Sequence, residues 1–345
     1  MLEKPDLADN QIVACLRDAF GLNVVELAFL PLGADVNTAV YRAVAQDSTP
    51  YFVKLRRGDF DAITVEVPKL LHDQGIKQII APILTRSQQL WARLGDFKLM
   101  LTPFVEGHSG FEVNLSDQHW VAFGHALKAL HTAALPQTIS DRVPRETFAP
   151  HWREIVKGFQ ERVETTPFAD PVAAELAAFL KVKQPAISHL VNRAEQLASV
   201  LQSHSPQFIL CHADIHVGNV LITTNDTLYV VDWDTLTLAP RERDLMFIGG
   251  GLGGGGHTAE QEEALFYVGY GQTRIDPITL AYYRHERIVQ DIAAYCEQIL
   301  LTDKGGEDEK EGLRQLMSQF LPGGVVEYAH KSEKRLPSEL RSNLA

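Results

Sequence analysis

Over the first hundred positions the apolar residues come in short alternating bursts; beyond them they recur at helical spacing. Ile12, Leu16 and Phe20 stand at i, i+4 and i+8 behind Asp6 and ahead of Gly21, which predicts a helix over 7–20. "VVELAFL" (24–30), "AVYRAV" (39–44) and "YFVKL" (51–55) read as strands, the last two separated by the turn cluster "AQDSTP". A helix is expected over 61–74, with Asp61 as its cap and Pro68 as a kink. "IIAPIL", "QLWARL" and "FKLMLTPFV" read as further strands, with Gly95-Asp96 as a turn. After "VEGHSG" (105–110) the pattern turns helical: 116–131, capped by Ser116 and striped by Trp120, Phe123, Leu127 and Leu130, then near 150–164, 171–182, 185–203, 259–270 and 277–301. The charged run 302–312 reads as a solvated loop. The expected class is α+β, with a small antiparallel sheet lobe over 1–104 and a larger, mainly helical lobe over 105–345. A cleft between such lobes is a usual ligand site.

Composition narrows the partners. The 345 residues suit about two domains, and a formal charge of −12 disfavours nucleic acid while suiting a cationic small molecule. Cys15, Cys211 and Cys296 are odd in number and far apart, which points to reduced thiols and a cytoplasmic setting. The opening "MLEKPDLADN" has no apolar run, and no stretch is long enough to span a membrane. Monomer and homodimer both remain open.

The chemistry concentrates in "FILCHADIHVGNVLI" (208–222). His212 and His216 are spaced as in a zinc H-E-x-x-H motif, but that motif needs a helix and a glutamate, and β-like runs bracket these histidines. Asp214 and Asn219 instead fit D-x-x-x-x-N, in which the aspartate takes the proton of an attacking hydroxyl and the asparagine holds magnesium. "LYVVDWD" (228–234) reads as a strand ending in Asp232 and Asp234, with Asp232 placed to hold Mg²⁺ on nucleotide phosphates; a plain turn is the alternative. Lys54 in "YFVKL" would bind the phosphates, with Glu66 as the acid that orients it and Asp59 or Asp61 as substitutes. The loop "PLGADVNTAVY" has a single glycine, Gly33, so Asn37 and Thr38 would have to turn backbone N–H groups to the phosphates. Adenine is expected against backbone near Thr102 to Val105. "GLGGGGHT" (251–258) has His257 where a P-loop needs lysine and reads as a flexible loop.

"LCHADIHVGNVLI" together with "VVDWD" resembles the aminoglycoside phosphotransferase and choline kinase family, whose catalytic loop reads H-x-D-x-x-x-x-N; His212, Asp214 and Asn219 match it. "GIKQIIAPI", "APHWREIV", "APRERDLMFIGGG" and "YYRHERIVQDIAAY" resemble the spectinomycin phosphotransferases within that group. The resemblance implies a protein-kinase-like bilobal fold, ATP (or GTP) with Mg²⁺ as cofactors, and phosphorylation of an aminocyclitol hydroxyl. Choline, a sugar or homoserine is the alternative acceptor. A silent nucleotide-binding module is a third reading, and a protein kinase is disfavoured because D-F-G and A-P-E are missing. A cationic substrate calls for acids, and Asp234 and Asp291 are candidates, although Asp291 can equally pair with Arg287. Trp152 is a candidate aromatic wall. Glu286 and Glu297 are expected to point away from the buried stripe of the last long helix. "RERD" (241–244) reads as salt bridging, and His131 and His285 as structural.

Overall fold

β-Branched and aromatic residues at alternating positions build the first sheet. The computed structural model describes residues 3–33, 35, 37–203, 206–249, 256–302 and 306–341, so part of the glycine loop (251–255) and part of the charged run (303–305) lie outside the described residues. In chain order come α1 (Asp9–Cys15, continued by a wider turn to Phe20), β1 (Val24–Leu30), β2 (Thr38–Ala45), β3 (Pro50–Arg57), α2 (Ile63–Asp73), β4 (Ala92–Leu94), β5 (Phe97–Pro103) and β6 (Gly107–Ser109). Then follow α3 (Asp117–Thr132), α4 (Gln137–Ser140), α5 (His151–Thr165), α6 (Pro171–Gln202), β7 (Ile209–Cys211), β8 (Val220–Thr223), β9 (Leu228–Val230) and β10 (Thr237–Ala239). The last elements are α7 (Glu242–Leu245), α8 (Ala259–Tyr270), α9 (Pro277–Leu300), α10 (Glu307–Ser318) and α11 (Val325–Glu333).

The chain divides into two compact units. The first takes in residues 1–113, 125–143 and 217–236. Its main sheet has the order β1-β2-β3-β5-β4, antiparallel throughout. Tyr41, Val53, Leu55, Leu99 and Leu101 pack on one face against Ile12 and Leu16 of α1. Strand alternation therefore puts Lys54 and Arg56 on the opposite face. A smaller sheet, β6-β8-β9, belongs to the same unit. "IIAPIL" forms no strand. Pro82 lacks a ladder donor, and the segment is held by a bridge from Ile79 to Val230, by His72 Nδ1 at 2.9 Å from Ile79 O, and by Ile83 N–H donating to Leu101 O at 2.7 Å. "QLWARL" is strand only over Ala92–Leu94.

The second unit, residues 114–124, 144–216 and 237–345, is mainly helical. Its core joins Val156 and Phe159 of α5, Leu176 and Leu190 of α6, Ile288 and Ile292 of α9, and Leu313 and Leu316 of α10. The separate helices expected over 171–182 and 185–203 are one helix, α6, with Pro185 inside it. Buried residues on both sides of the proline (Leu180 and Ile187) hold it continuous, and tertiary packing outweighs the lost N–H. The charged run is not a loop from position 307 on. It is α10, opened by Glu309 accepting from Gly306 N–H at 2.9 Å, with Asp308 and Glu309 themselves buried. Glu286 does not point away either. It is buried on α9, 3.4 Å from the Arg153 guanidinium, and burial raises its pKa to about 7 against the pull of Arg153.

Gly124 of α3 lies against the backbone of α8, where an added Cβ would stand 2.1 Å from Phe266 O and 2.6 Å from Tyr270 N. Gly124→Ala gains about 1 kcal/mol of helix propensity but meets backbone that cannot rotate aside, an overpacking cost of about 1–3 kcal/mol or more. The expected outcome is a lower urea midpoint; a raised midpoint would contradict this helix approach.

Candidate active site

In the first unit, β3 presents Lys54 between two acids that follow β9. Its Nζ donates to Asp232 Oδ1 at 3.0 Å and to Asp234 Oδ2 at 2.7 Å, with the lysine side chain 19% exposed. Burial would lower the ammonium pKa, but the two carboxylates outweigh it and hold the group above its ordinary range. Lys54 thus stays charged through neutral pH. Asp232 lies past the end of β9 in the left-handed region, at φ 63°. The buried Trp233 fixes that turn, its Nε1 donating to Val230 O at 3.3 Å. Val231 N–H donates to Asn219 O at 3.0 Å, which ties the two metal-candidate segments together. Asn219 and Asp232 offer an amide oxygen and a carboxylate, hard donors of the kind Mg²⁺ takes.

The other expected nucleotide residues fare unequally. Glu66 does not meet Lys54. It accepts from Arg142 Nη1 at 2.6 Å, and Asp232 and Asp234 hold the lysine instead. The N–H groups of Asn37 and Thr38 are turned inward to their own loop. Asn37 N–H donates to the Asp35 carboxylate Oδ1 at 2.8 Å and Thr38 N–H to the Asp35 main-chain O at 3.1 Å, so both donors are engaged within the loop. Asp35 also accepts from Arg56, which lies two residues beyond Lys54 on β3. Gly33 precedes this loop at φ 85°. Thr102 sits in β5 opposite Phe52, and Val105 lies just past that strand.

In the second unit, the loop after β7 carries Asp214. It is a loop and not a helix, so His212 and His216 share no helix face as a zinc motif would require. Ala213 has φ 68°, and the buried Asp244 holds this strained turn by accepting from His212 N–H at 2.9 Å and Ala213 N–H at 2.6 Å. Asp214 Oδ1 accepts from Arg287 Nη1 at 2.6 Å, and His216 Nε2 lies 3.7 Å from the same oxygen. Burial would raise the Asp214 pKa, but the Arg287 guanidinium prevails, helped by the nearby histidines, and the net shift is downward. Arg287 Nε in turn lies 2.8 Å from Asp291, which also accepts from Gln319 at 2.8 Å. The pairing alternative for Asp291 is therefore the one the side chain adopts. Trp152 packs on the helical core beside His151.

Two residues that shape the candidate site carried no such role in the sequence. Asp244 sat in "RERD", read as salt bridging, although it serves main-chain N–H groups. Arg287 was visible only as a helical neighbour of Asp291.

Residues 28–277 match the phosphotransferase enzyme family, and the chain belongs to that family; it is a small-molecule kinase. Among solved structures, spectinomycin phosphotransferase APH(9)-Ia in complex with ADP and spectinomycin is 36% identical, with a TM-score of 0.87 over 96% of this chain and 100% of that one. Its AMP-bound complex aligns at a TM-score of 0.81. An aminoglycoside phosphotransferase from Alicyclobacillus acidocaldarius, at 13% identity and a TM-score of 0.59 over 96% and 97% of the two chains, shares the fold. Protein StrN of Streptomyces griseus is 27% identical over 225 residues, 63% of this chain and 67% of StrN. The kinase-like α+β fold, with an antiparallel sheet in the N-terminal region and helices in the C-terminal region, is the one the motifs implied.

Asp244→Ala leaves two backbone donors unmatched and is expected to destabilise the protein by about 2–5 kcal/mol in urea unfolding; an unchanged midpoint would show that the loop does not depend on it. Removing the guanidinium with Arg287→Met takes away the largest charge that opposes the burial of Asp214 and leaves His216, His212 and Arg243 against it. Because the folded-state pKa is depressed, the stability Asp214 contributes is present above its unfolded value and lost as pH falls through the folded one; the variant raises the folded-state pKa towards or past the unfolded value and so shrinks or reverses that contribution. Following the Asp214 carboxyl by NMR titration checks it, and an unmoved titration would contradict the Arg287 cause.

Proposed function

We propose that this kinase transfers the γ-phosphoryl group of ATP to a hydroxyl of an aminocyclitol, with spectinomycin as the best candidate. The observation that carries the reading is the 36% identity with APH(9)-Ia over that whole chain, a protein crystallised with ADP and spectinomycin. On this reading residues 1–104 supply most of the nucleotide lobe and 105–345 the catalytic and substrate lobe. Lys54, permanently cationic, takes the α- and β-phosphates, and Arg56 beside it adds a second positive charge. The strand end at Thr102 to Val105 offers backbone to adenine. Magnesium, when held by Asn219 and Asp232, would neutralise phosphate oxygens.

Asp214, kept ionised by Arg287, orients the acceptor hydroxyl and receives its proton. The hydroxyl oxygen bonds to the γ-phosphorus, the bond from that phosphorus to the β,γ-bridging oxygen breaks, and ADP departs. In a loose transition state the proton moves late, so positioning matters more than base strength. Asp214 and Asp291 with Arg287 between them carry a net charge of −1, which suits an ammonium-bearing substrate. Asp234 adds a further acid, although Lys54 already holds it.

ADP release measured with spectinomycin, other aminocyclitols, aminoglycosides, choline, sugars and homoserine tests the assignment. Turnover with spectinomycin is expected. Turnover with another acceptor alone would displace the substrate assignment, and no turnover on any of them would overturn the proposal. Asp214→Asn is expected to keep nucleotide binding and lose about 10²–10⁴-fold in kcat; full activity would remove Asp214 as the base.

A further inference from the structure

Away from the phosphotransfer residues, the helical unit holds a second polar cluster. His189 of α6, His285 of α9 and Glu333 of α11 direct ligand atoms at one another, each pair within 4.8 Å. His189 Nε2 lies 3.3 Å and His285 Nε2 3.0 Å from the same oxygen, Glu333 Oε1. Two ligands of a tetrahedral zinc ion, bound at about 2.0–2.1 Å, stand about 3.3 Å apart, so both separations fit a shared ion.

The hydrogen bonds around the cluster favour the same reading. His285 Nδ1 lies 2.8 Å from Ala281 O. A ring N–H donated to a backbone carbonyl fixes the tautomer and leaves Nε2 as a lone pair, the usual arrangement of a metal-bound histidine. That lone pair faces a carboxylate oxygen, so a cation or an extra proton must lie between them. Arg193 already serves the other side of this carboxylate, its Nε 2.9 Å from Glu333 Oε2. A third ring, His330, stands 5.1 Å from His189 and 6.2 Å from His285 between centroids. Its Nε2 is buried with no hydrogen-bond partner among the described residues. His285 and Glu333 are buried, whereas His189 is 34% exposed and gives an ion a way in.

We propose that His189, His285 and Glu333, with His330 as a fourth donor after a small ring movement, bind one divalent transition ion of the zinc class. The ion fastens α11 to α6 and α9. Nitrogen donors in this number favour Zn²⁺, Co²⁺ or Ni²⁺ over Mg²⁺. Binding displaces any proton lying between His285 and Glu333, so one ion enters as up to one proton leaves.

The test uses untagged, chelator-treated full-length protein without nucleotide. Titration with Co²⁺ is expected to saturate at one ion per chain, with the visible absorption of a tetrahedral nitrogen–oxygen site that excess Mg²⁺ does not abolish. Zn²⁺ should raise the unfolding temperature and displace the Co²⁺ signal. His189→Gln, at the exposed edge, should weaken Co²⁺ binding at least tenfold while leaving the far-UV circular dichroism unchanged. Absence of a stoichiometric Co²⁺ spectrum in the parent protein would overturn the proposal, leaving the cluster a protonated ion pair. Equal binding by parent and His189→Gln would also overturn it, by placing the ion elsewhere. Should His189→Gln fail to fold, the parent titration decides alone.

Discussion

A single ammonium group shared between two carboxylates organises the region that the phosphotransfer reading assigns to the nucleotide. Lys54 sits on a sheet strand whose opposite face is core, which fixes where its backbone stands. Asp232 and Asp234 come to it from 178 and 180 positions later in the chain. One positive and two negative charges leave that group at −1, an environment that stabilises a further cation more than it stabilises a free phosphate. A magnesium–nucleotide complex brings both signs at once. On the phosphotransfer reading the acids would hold its metal and Lys54 and Arg56 its phosphates, so that no charge would be left buried without a counter-charge.

The base side rests on a different constraint. As the proposed base, Asp214 would have to be ionised and to point in one direction, and separate elements supply the two conditions. Arg287 of α9 supplies the charge that keeps the carboxylate ionised in a buried setting. Asp244 supplies the geometry by holding the left-handed turn at Ala213 through the main chain. The turn at Asp232 is strained in the same sense, and a buried tryptophan beside it does the holding. Strain of this kind, about 1–3 kcal/mol per residue, persists because the surrounding core over-determines it. On the phosphotransfer reading, this rigidity is what allows positioning to carry most of the rate enhancement.

The parts of this design that were legible in the sequence are those written into local spacing. Strand alternation put Lys54 opposite the core face, and the D-x-x-x-x-N spacing singled out Asp214 and Asn219. Stripes such as Ile288 and Ile292 marked a buried helix face. What stayed hidden depends on distant partners. Glu66 occupies the first turn of α2 as expected, but nothing local shows that Arg142, 76 residues on, claims it. In the phosphate-loop candidate Asp35 takes the Asn37 and Thr38 N–H groups, a choice the backbone makes and composition does not reveal. The stretches 171–182 and 185–203 read as two helices because propensity is local, whereas the packing of α6 on α5 and α9 is not. His285 had no sequence neighbour to suggest a role, since its partners lie on α6 and α11.

Calorimetric titration with a non-hydrolysable ATP analogue, with and without Mg²⁺, probes the shared ammonium most directly. In the parent protein Mg²⁺ should tighten binding. Lys54→Met should weaken binding in both conditions, and Asp232→Asn should remove the Mg²⁺ effect. An Asp232→Asn protein that keeps the full Mg²⁺ effect, or a Lys54→Met protein that binds as the parent does, would contradict the account.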